Sequence, residues 1–353
     1  MMKAPKKRVL LGMSGGLDST YAARLLLEAG YEVVGAVLVF SEHTETGSAR
    51  LAAEEVGIAL IEIDVTARFD RYVVKNFVSE YANGRTPNPC VVCNRYVKMA
   101  ALYEAAREGG FDYFATGHYA RVVKENGRYA VAMAKDTTKD QSYMLWGLSQ
   151  EMLSMLLTPL AEREKDEVKK EALAVSLSAA GKKESQDICF IPDGDYVGFI
   201  ERYAEKNQLD FVKRAFLAGN FVDREGKVLG KHRGIVHYTV GQRKHLGIAL
   251  GYPAFVTEIV ASTGDVVLSG AENTAKSEIT VSSLVFQGLP EQSEGEVKCL
   301  VKIRYAARPT PCRAVFEGDR ARVIFEEPQR TPAKGQSAVF YQGDAVLFGG
   351  MIE

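Results

Sequence analysis

Between the apolar triplet Val9-Leu10-Leu11 and a run with helical spacing stands the segment Ser14-Gly15-Gly16-Leu17-Asp18-Ser19. Leu17, Tyr21 and Leu25, joined by Ala22 and Leu26, recur at the helical period, and Gly30 is placed to cap that helix. Few folds accept a short, wholly apolar strand that runs through a glycine turn into a helix. Such a strand has no face for water, so it belongs inside a parallel sheet covered on both sides. The turn suits a ligand: glycines let the backbone approach closely, and the amides of a helix N-terminus favour an anion. Ser14 and Ser19 offer hydroxyl donors, and Asp18 can hold a magnesium ion that bridges phosphates. The segment lacks the Gly-Lys-Ser/Thr of a Walker A loop and does not match a dinucleotide fingerprint.

The alternation continues. Residues 33–40 read as an apolar strand, 48–56 as a helix, 58–63 as a strand, about 67–81 as a helix and 111–116 as a further strand. From about residue 221 the texture changes to short runs at 254–260, 266–268, 278–285, 297–305 and 338–341. These are rich in Val, Ile and Tyr and separated by Gly, Pro, Asp and Asn, the pattern of small antiparallel β domains. The expected fold class is α/β. A parallel-sheet, ATP-binding catalytic domain spans 1–204, a small β domain 205–275, and a C-terminal β-barrel-like domain 276–353.

The 353 residues suffice for two or three such domains, and 46% apolar with 25% charged residues argues against disorder. The net charge of −1 excludes a globally basic nucleic-acid binder, so any RNA contact must come from local patches. No apolar run approaches the roughly 20 residues of a membrane span. The basic N-terminal cluster leads straight into the first strand, and cleaving it as a signal would discard the glycine loop. The chain therefore reads as cytoplasmic, with no membrane partner. Five cysteines, an odd number in that compartment, argue against a disulfide framework.

Two cysteines sit in the proline-stiffened segment Thr86-Pro87-Asn88-Pro89-Cys90-Val91-Val92-Cys93-Asn94, and a third in Ser185-Gln186-Asp187-Ile188-Cys189. A nucleophilic or sulfur-carrying thiol needs a lowered pKa and access, and Arg85, Arg95 and Lys98 flank the first pair as sources of positive field. Cys299 and Cys312 read as core residues. Two segments free of acids, 231–245 and 302–313, are candidate grips for an RNA backbone, although short basic runs are commonly plain solvated faces. His118, after a strand, and the turn Lys139-Asp140-Gln141 are further candidates for substrate contact.

The loop Ser14–Ser19 resembles that of the PP-loop ATP pyrophosphatases, which adenylate a substrate and release pyrophosphate. That alone leaves argininosuccinate-synthetase-like ligases, amidating synthetases and RNA-modifying enzymes open. The remaining motifs narrow the choice. GMSGGLDS over 12–19, TPNPCVVCN over 86–94, ATGHYAR over 115–121, KDQSY over 139–143, SQDICFI over 185–191 and YTVGQRKHLGI over 238–248 are similar to the tRNA 2-thiouridylases nearly end to end. VKIRYAARPTPC and EPQRTPAKGQSAVFY resemble that family's final domain.

The resemblance implies that ATP, with Mg2+, adenylates the carbon-2 oxygen of a tRNA wobble uridine. Sulfur then arrives from a cysteine persulfide loaded by a cysteine desulfurase or an upstream sulfur-relay protein. By motif position it implies Cys93 as attacking cysteine and later disulfide partner, Cys189 as persulfide carrier, and Asp18 as catalytic carboxylate. Gly12, Met13, Ser14, Gly15, Gly16, Leu17, Asp18, Ser19, Leu38 and Gly117 would hold the nucleotide. Asn88, Pro89, Cys90, His118, Lys139, Asp140, Gln141, Arg304, Tyr305 and Gln336 would face the tRNA. Cys90 stands where the family pattern has aspartate, which leaves two readings open. It is a harmless substitution, or Cys90, Cys93 and Cys189 bind a 4Fe-4S cluster with one iron open to carry sulfide. The segment 41–50 is shorter than the family's acidic, tryptophan-bearing loop, so no role transfers from there. A small-metabolite ligase would need neither the thiols nor the basic β segments, and a non-catalytic RNA-binding module would leave the glycine loop unexplained.

Overall fold

A computed structural model describes residues 5–175, 177–181, 188–291 and 295–353. Strands β1 (Arg8–Gly12), β2 (Glu32–Val39), β3 (Ala59–Asp64) and β4 (Tyr113–Ala115) form a parallel sheet with the short strand Leu156–Leu157. Its order is β3-β2-β1-β4 with 156–157 at the edge, so β1 is central, and Val9, Leu10 and Leu11 have no exposed surface. The chain builds outward from β1 on one side and then returns to its other side with β4. Loops leaving β1 and β4 therefore diverge at a topological switch point, where open α/β sheets leave a ligand crevice. Both the Ser14–Ser19 loop and the Thr116–His118 turn leave strands at that crevice. The helix expected near 67–81 is present over 66–82 with a π turn at Asp70–Val74.

Two further sheets follow. A four-stranded sheet comprises Gly219–Val222, Val228–His232, Phe255–Val260 and Asp265–Ser269. It is mixed rather than wholly antiparallel, because the long connection after His232 brings Asp265–Ser269 back parallel to Gly219–Val222. The last sheet has Ala275–Phe286, Glu296–Lys302, Thr310–Glu317, Arg320–Arg330, Ser337–Gln342 and Ala345–Ile352. Ala275–Phe286 pairs with both Arg320–Arg330 and Ala345–Ile352, which closes the barrel. The strand expected to reach Tyr305 stops at Lys302, and Arg304 and Tyr305 lie in an exposed turn. Cys299 and Cys312 are cross-strand partners with sulfurs 3.7 Å apart, the first half-buried and the second buried, as expected of core residues.

The barrel sheet also recruits strands from the first half of the chain. Ala120–Glu125 and Arg128–Met133 form a hairpin around Asn126-Gly127, both at positive φ, the pair a tight hairpin turn requires. The hairpin joins Ala345–Ile352 through Ala132 and Ala345. Gln287, with no exposed surface, accepts from Val131 N at 2.9 Å and donates to the carbonyls of Leu145 and Trp146 at 3.1 and 2.9 Å. Gly349 completes the joint. A Cβ there would come within 2.6 Å of the Trp146 ring, so only glycine lets the barrel strand close over that buried indole. The site loops in the first half are thereby fixed relative to the barrel.

Candidate active site

A cleft of about 330 Å3 opens at the switch point, within the range of small-molecule sites. Gly12, Met13, Ser14, Asp18, Ser19, Leu38 and Gly117 line it, with Phe40, Met99 and Leu102 adding an apolar wall. Gly15, Gly16 and Leu17 support the loop from behind. Gly15 has φ +72°, and a Cβ there would come within 2.3 Å of the Ser48 carbonyl carbon, so the loop rests on the helix Gly47–Val56. Gly16 N-caps the helix Leu17–Glu28, its carbonyl accepting from Ser19 Oγ at 3.1 Å, and Leu17 packs on the apolar core. Gly117 was expected to admit the nucleotide. What it passes is the loop itself, since a Cβ on Gly117 would lie 2.8 Å from the Asp18 carbonyl carbon.

Asp18 faces a cation. Lys165 Nζ donates to both carboxylate oxygens at 2.7 and 2.8 Å, and Tyr119 Oη donates to Oδ1 at 3.1 Å. Lys165 opens the helix Lys165–Ala174, where its backbone N–H is held by Asp136 at 3.0 Å. Lys165 does not stand out in the sequence, because a lysine at a helix start is unremarkable until its partner is known, and Tyr119 stands out only as part of the 115–121 motif. Thr44 and Glu45, from the segment to which no role was transferred, also line the cleft. Asp18 and Glu45 are the two carboxylates lining it.

The thiol segment is clamped from both sides. Asn88 Oδ1 accepts from Val91 N at 3.3 Å, and Pro89 starts the helix Pro89–Cys93, where its missing N–H costs nothing. Gln336, expected to face RNA, instead donates to the carbonyls of Thr86 and Pro87 at 2.9 and 3.1 Å, tying the barrel to this segment. Cys90 and Cys189 are exposed, Cys93 is 5% exposed within the core, and all are free thiols. Burial pushes Cys93 up to about 11, and partial desolvation also raises Cys90 although that residue is exposed overall. The Lys98 charge pulls both back, and the nearby Cys189 adds a smaller upward push on each. Of the three cations flanking the pair, Lys98 thus supplies the field. Arg85 lies 2.9 Å from Glu80, and Arg95 stacks over Tyr96 and Trp146.

The cluster reading, one of the two left open for Cys90, does not fit this placement. Among the described residues no three His, Cys, Asp or Glu side chains are grouped to hold a metal, and Cys93 points into the core while Cys90 and Cys189 are exposed. Ser185, Gln186 and Asp187 of the third cysteine's motif lie outside the described residues. Iodoacetamide at pH 7 is expected to label Cys189 first. Cys93 should lag and gain about tenfold per pH unit towards 11, because the thiolate is the reactive form. Equal labelling of the two at pH 7, read by peptide mapping, would contradict this placement.

His118 lines the cleft, with Nδ1 2.9 Å from Thr116 Oγ1, and burial followed by the Lys98 charge lowers it to about 3. It is a neutral imidazole throughout the physiological range. Gln141 also lines the cleft and holds the Tyr119 amide at 2.9 Å. Asp140 differs from expectation. It is 6% exposed, and its carboxylate accepts from Ala134 N and Ser142 N at 3.1 Å and from Ser142 Oγ at 2.8 Å, so it braces the turn rather than meeting a base. Lys139 is half-buried, its amide on Asp136 O at 3.1 Å.

The basic segments are also partly spent. Lys302 is buried 4.0 Å from Asp140, and Arg313 pairs with Glu296 at 3.1 Å. Exposed Arg304 donates to Thr331 Oγ1 at 3.1 Å and to the Arg330 carbonyl. Exposed Tyr305 shares the Lys302 ammonium with Tyr143. Within 231–245, His232 is buried against the Gly264 carbonyl at 3.0 Å, whereas Arg243, Lys244 and His245 are exposed.

A glycine loop and a close-passing second glycine at a parallel-sheet switch point define a small-molecule-binding α/β catalytic domain, here joined to two β domains. Residues 7–193 match the family described as tRNA methyl transferase HUP domain, 209–270 its PRC-barrel domain, and 276–352 the aminomethyltransferase beta-barrel domain. The tRNA-specific 2-thiouridylase MnmA of Clostridium acetobutylicum is 42% identical over 98% of this chain and 99% of its own length. That of Clostridium perfringens is 41% identical over 99% of each chain. This chain belongs to the MnmA family of tRNA-specific 2-thiouridylases.

Proposed function

We propose that this chain is an ATP-dependent tRNA-uridine 2-sulfurtransferase acting on the wobble uridine. The carrying observation is the position of Lys98, which lines the nucleotide cleft while its charge acts on Cys90, Cys93 and His118. One turn of chain thus joins phosphate chemistry to thiol chemistry. ATP lies with its base on Leu38, Phe40 and Leu102 and its phosphates on Ser14, Ser19 and the loop amides. Asp18 and Glu45 are the cleft carboxylates that would hold Mg2+, which when bound would offset the charge of the departing pyrophosphate.

The uridine carbon-2 oxygen attacks the α-phosphorus, and pyrophosphate leaves with the bonding pair. A persulfide on Cys189, loaded by a desulfurase or relay protein, then attacks carbon 2 with its terminal sulfur, and AMP leaves with the oxygen. Cys93, once deprotonated, attacks Cys189 Sγ. The S–S bond breaks towards the uridine, leaving 2-thiouridine and a Cys93–Cys189 disulfide that an external dithiol reduces. Neutral His118 orients the base without adding charge. Cys90 is incidental to this route.

The test combines unmodified tRNA, ATP, Mg2+ and a persulfide donor with iron-free protein, reading AMP, pyrophosphate and 2-thiouridine. The expected result is one AMP and one pyrophosphate per thiouridine. Thiolation that tracks bound iron overturns the persulfide route. Brisk pyrophosphate exchange with a small acid and no RNA would favour a metabolite ligase instead.

A further inference from the structure

A second, larger cleft of about 940 Å3 lies on the other side of the thiol helix. Val91 and Val92 of Pro89–Cys93 form part of its wall, Ile259 of the second domain and Lys334 of the barrel complete it, so all three domains meet there. No sequence pattern points to it, because its cations are scattered along the chain rather than clustered.

One wall is a continuous stack. The Arg71 guanidinium lies 5.2 Å over Tyr72, and Tyr72 stacks on Tyr96 at 5.2 Å and 11°. Arg95 lies 4.8 Å over Tyr96 and 5.6 Å over Trp146. Stacking fixes the two guanidinium planes, and their in-plane N–H groups are the donors that match phosphate oxygens. Arg71 and Lys75 are exposed, as is Lys334 across the cleft. Among the described residues Arg71, Lys75, Arg95 and Lys334 carry no ion pair. The two carboxylates of the cleft are already matched, Glu80 by Arg85 at 2.9 Å and Glu353 by Arg320 at 3.2 Å. The cleft therefore holds about four uncompensated positive charges in a molecule whose net charge is −1.

The segment between the clefts faces both ways. The π turn Asn94–Lys98 sends Arg95 and Tyr96 into the larger cleft and Lys98 into the nucleotide cleft. A π turn rotates side chains out of α-helical register and recurs at functional sites.

We propose that this three-domain cleft grips the phosphodiester backbone of the RNA substrate beside the thiol helix, with Arg71, Lys75, Arg95 and Lys334 as the phosphate contacts. The inference rests on the RNA reading of the function and adds where the backbone lies. A sulfur-donor protein would be expected to need apolar contact at its centre, and this wall offers fixed cations instead.

The test is the charge reversal Arg71→Glu/Lys75→Glu, in residues remote from the nucleotide cleft. Its tRNA affinity is measured from about 50 to 300 mM salt, with ATP binding as the check of folding. The expected outcome is a Kd for tRNA raised about tenfold or more and a salt slope shallower by roughly 1.5 to 2, the loss of two phosphate contacts, with ATP binding unchanged. An unchanged Kd and slope overturns the proposal. So does unchanged tRNA binding with thiolation impaired only when sulfur comes from a persulfide protein rather than free sulfide, which would assign the cleft to that protein. Wild-type protein that fails to bind tRNA at all is a failure of the RNA reading itself, and this control separates the two.

Discussion

Cys189→Ser is expected to lower 2-thiouridine formation by on the order of 10³-fold or more, while adenylation persists as a first-turnover burst of pyrophosphate. The reasoning is steric and electrostatic. Cys189 is exposed where a donor can reach it, and it lies close enough to Cys90 and Cys93 to raise both thiols. Cys93 cannot take over the carrier role from its position in the core, with its thiol held near 11 and so protonated at neutral pH. Serine keeps the size but has no sulfur to carry, so adenylated uridine meets no sulfur nucleophile and AMP release falls to slow hydrolysis. Cys93→Ser should behave differently: a single round of sulfur loading on Cys189 survives, and product release stalls. Thiolation surviving in Cys189→Ser, measured by mass spectrometry of the digested tRNA, would sink the proposed sulfur route. Cys90→Asp, which restores the family pattern, should leave single-turnover thiolation unchanged if Cys90 is incidental.

The catalytic architecture was legible where the signal is local. A short apolar strand, a glycine loop and a 3.6-residue period together dictate the order of elements from β1 to β4, and they place the loop at the crevice. What was not legible depends on partners far apart in sequence. Lys165 meets Asp18, Gln336 meets Thr86 and Pro87, and the hairpin around Asn126-Gly127 joins the barrel only through Ala132 and Ala345. No periodicity encodes such pairings. Motif residues were misjudged for a related reason. Asp140 lies within a matching motif, and a polar residue there reads as available to a ligand until burial and three hydrogen bonds show its oxygens already used. Basic residues pose the same problem. A run such as 302–313 appears as a patch in one dimension, yet Lys302 and Arg313 are neutralised by Asp140 and Glu296. Arg71, Arg95 and Lys334, scattered along the chain, converge on one cleft.

Asp18→Ala should remove adenylation almost completely, with pyrophosphate release falling on the order of 10³-fold, the scale of losing one preorganised electrostatic group at a transferring phosphoryl centre. The same change also has a structural cost that must be separated from the chemical one. Lys165, whose side chain is 10% exposed, loses its ion pair with the Asp18 carboxylate. Removing one partner of a buried ion pair costs about 3–5 kcal/mol, and here less, because Asp18 is 34% exposed and water can enter. Thermal unfolding should therefore shift down in Asp18→Ala, and activity loss by itself would be ambiguous. The double variant Asp18→Ala/Lys165→Met resolves it, since methionine fills the lysine stem volume without the charge. Stability should return towards wild type while adenylation stays lost. If activity returned together with stability, Asp18 would be only the partner that keeps Lys165 in place, and its role as the metal-holding carboxylate of the loop would be wrong.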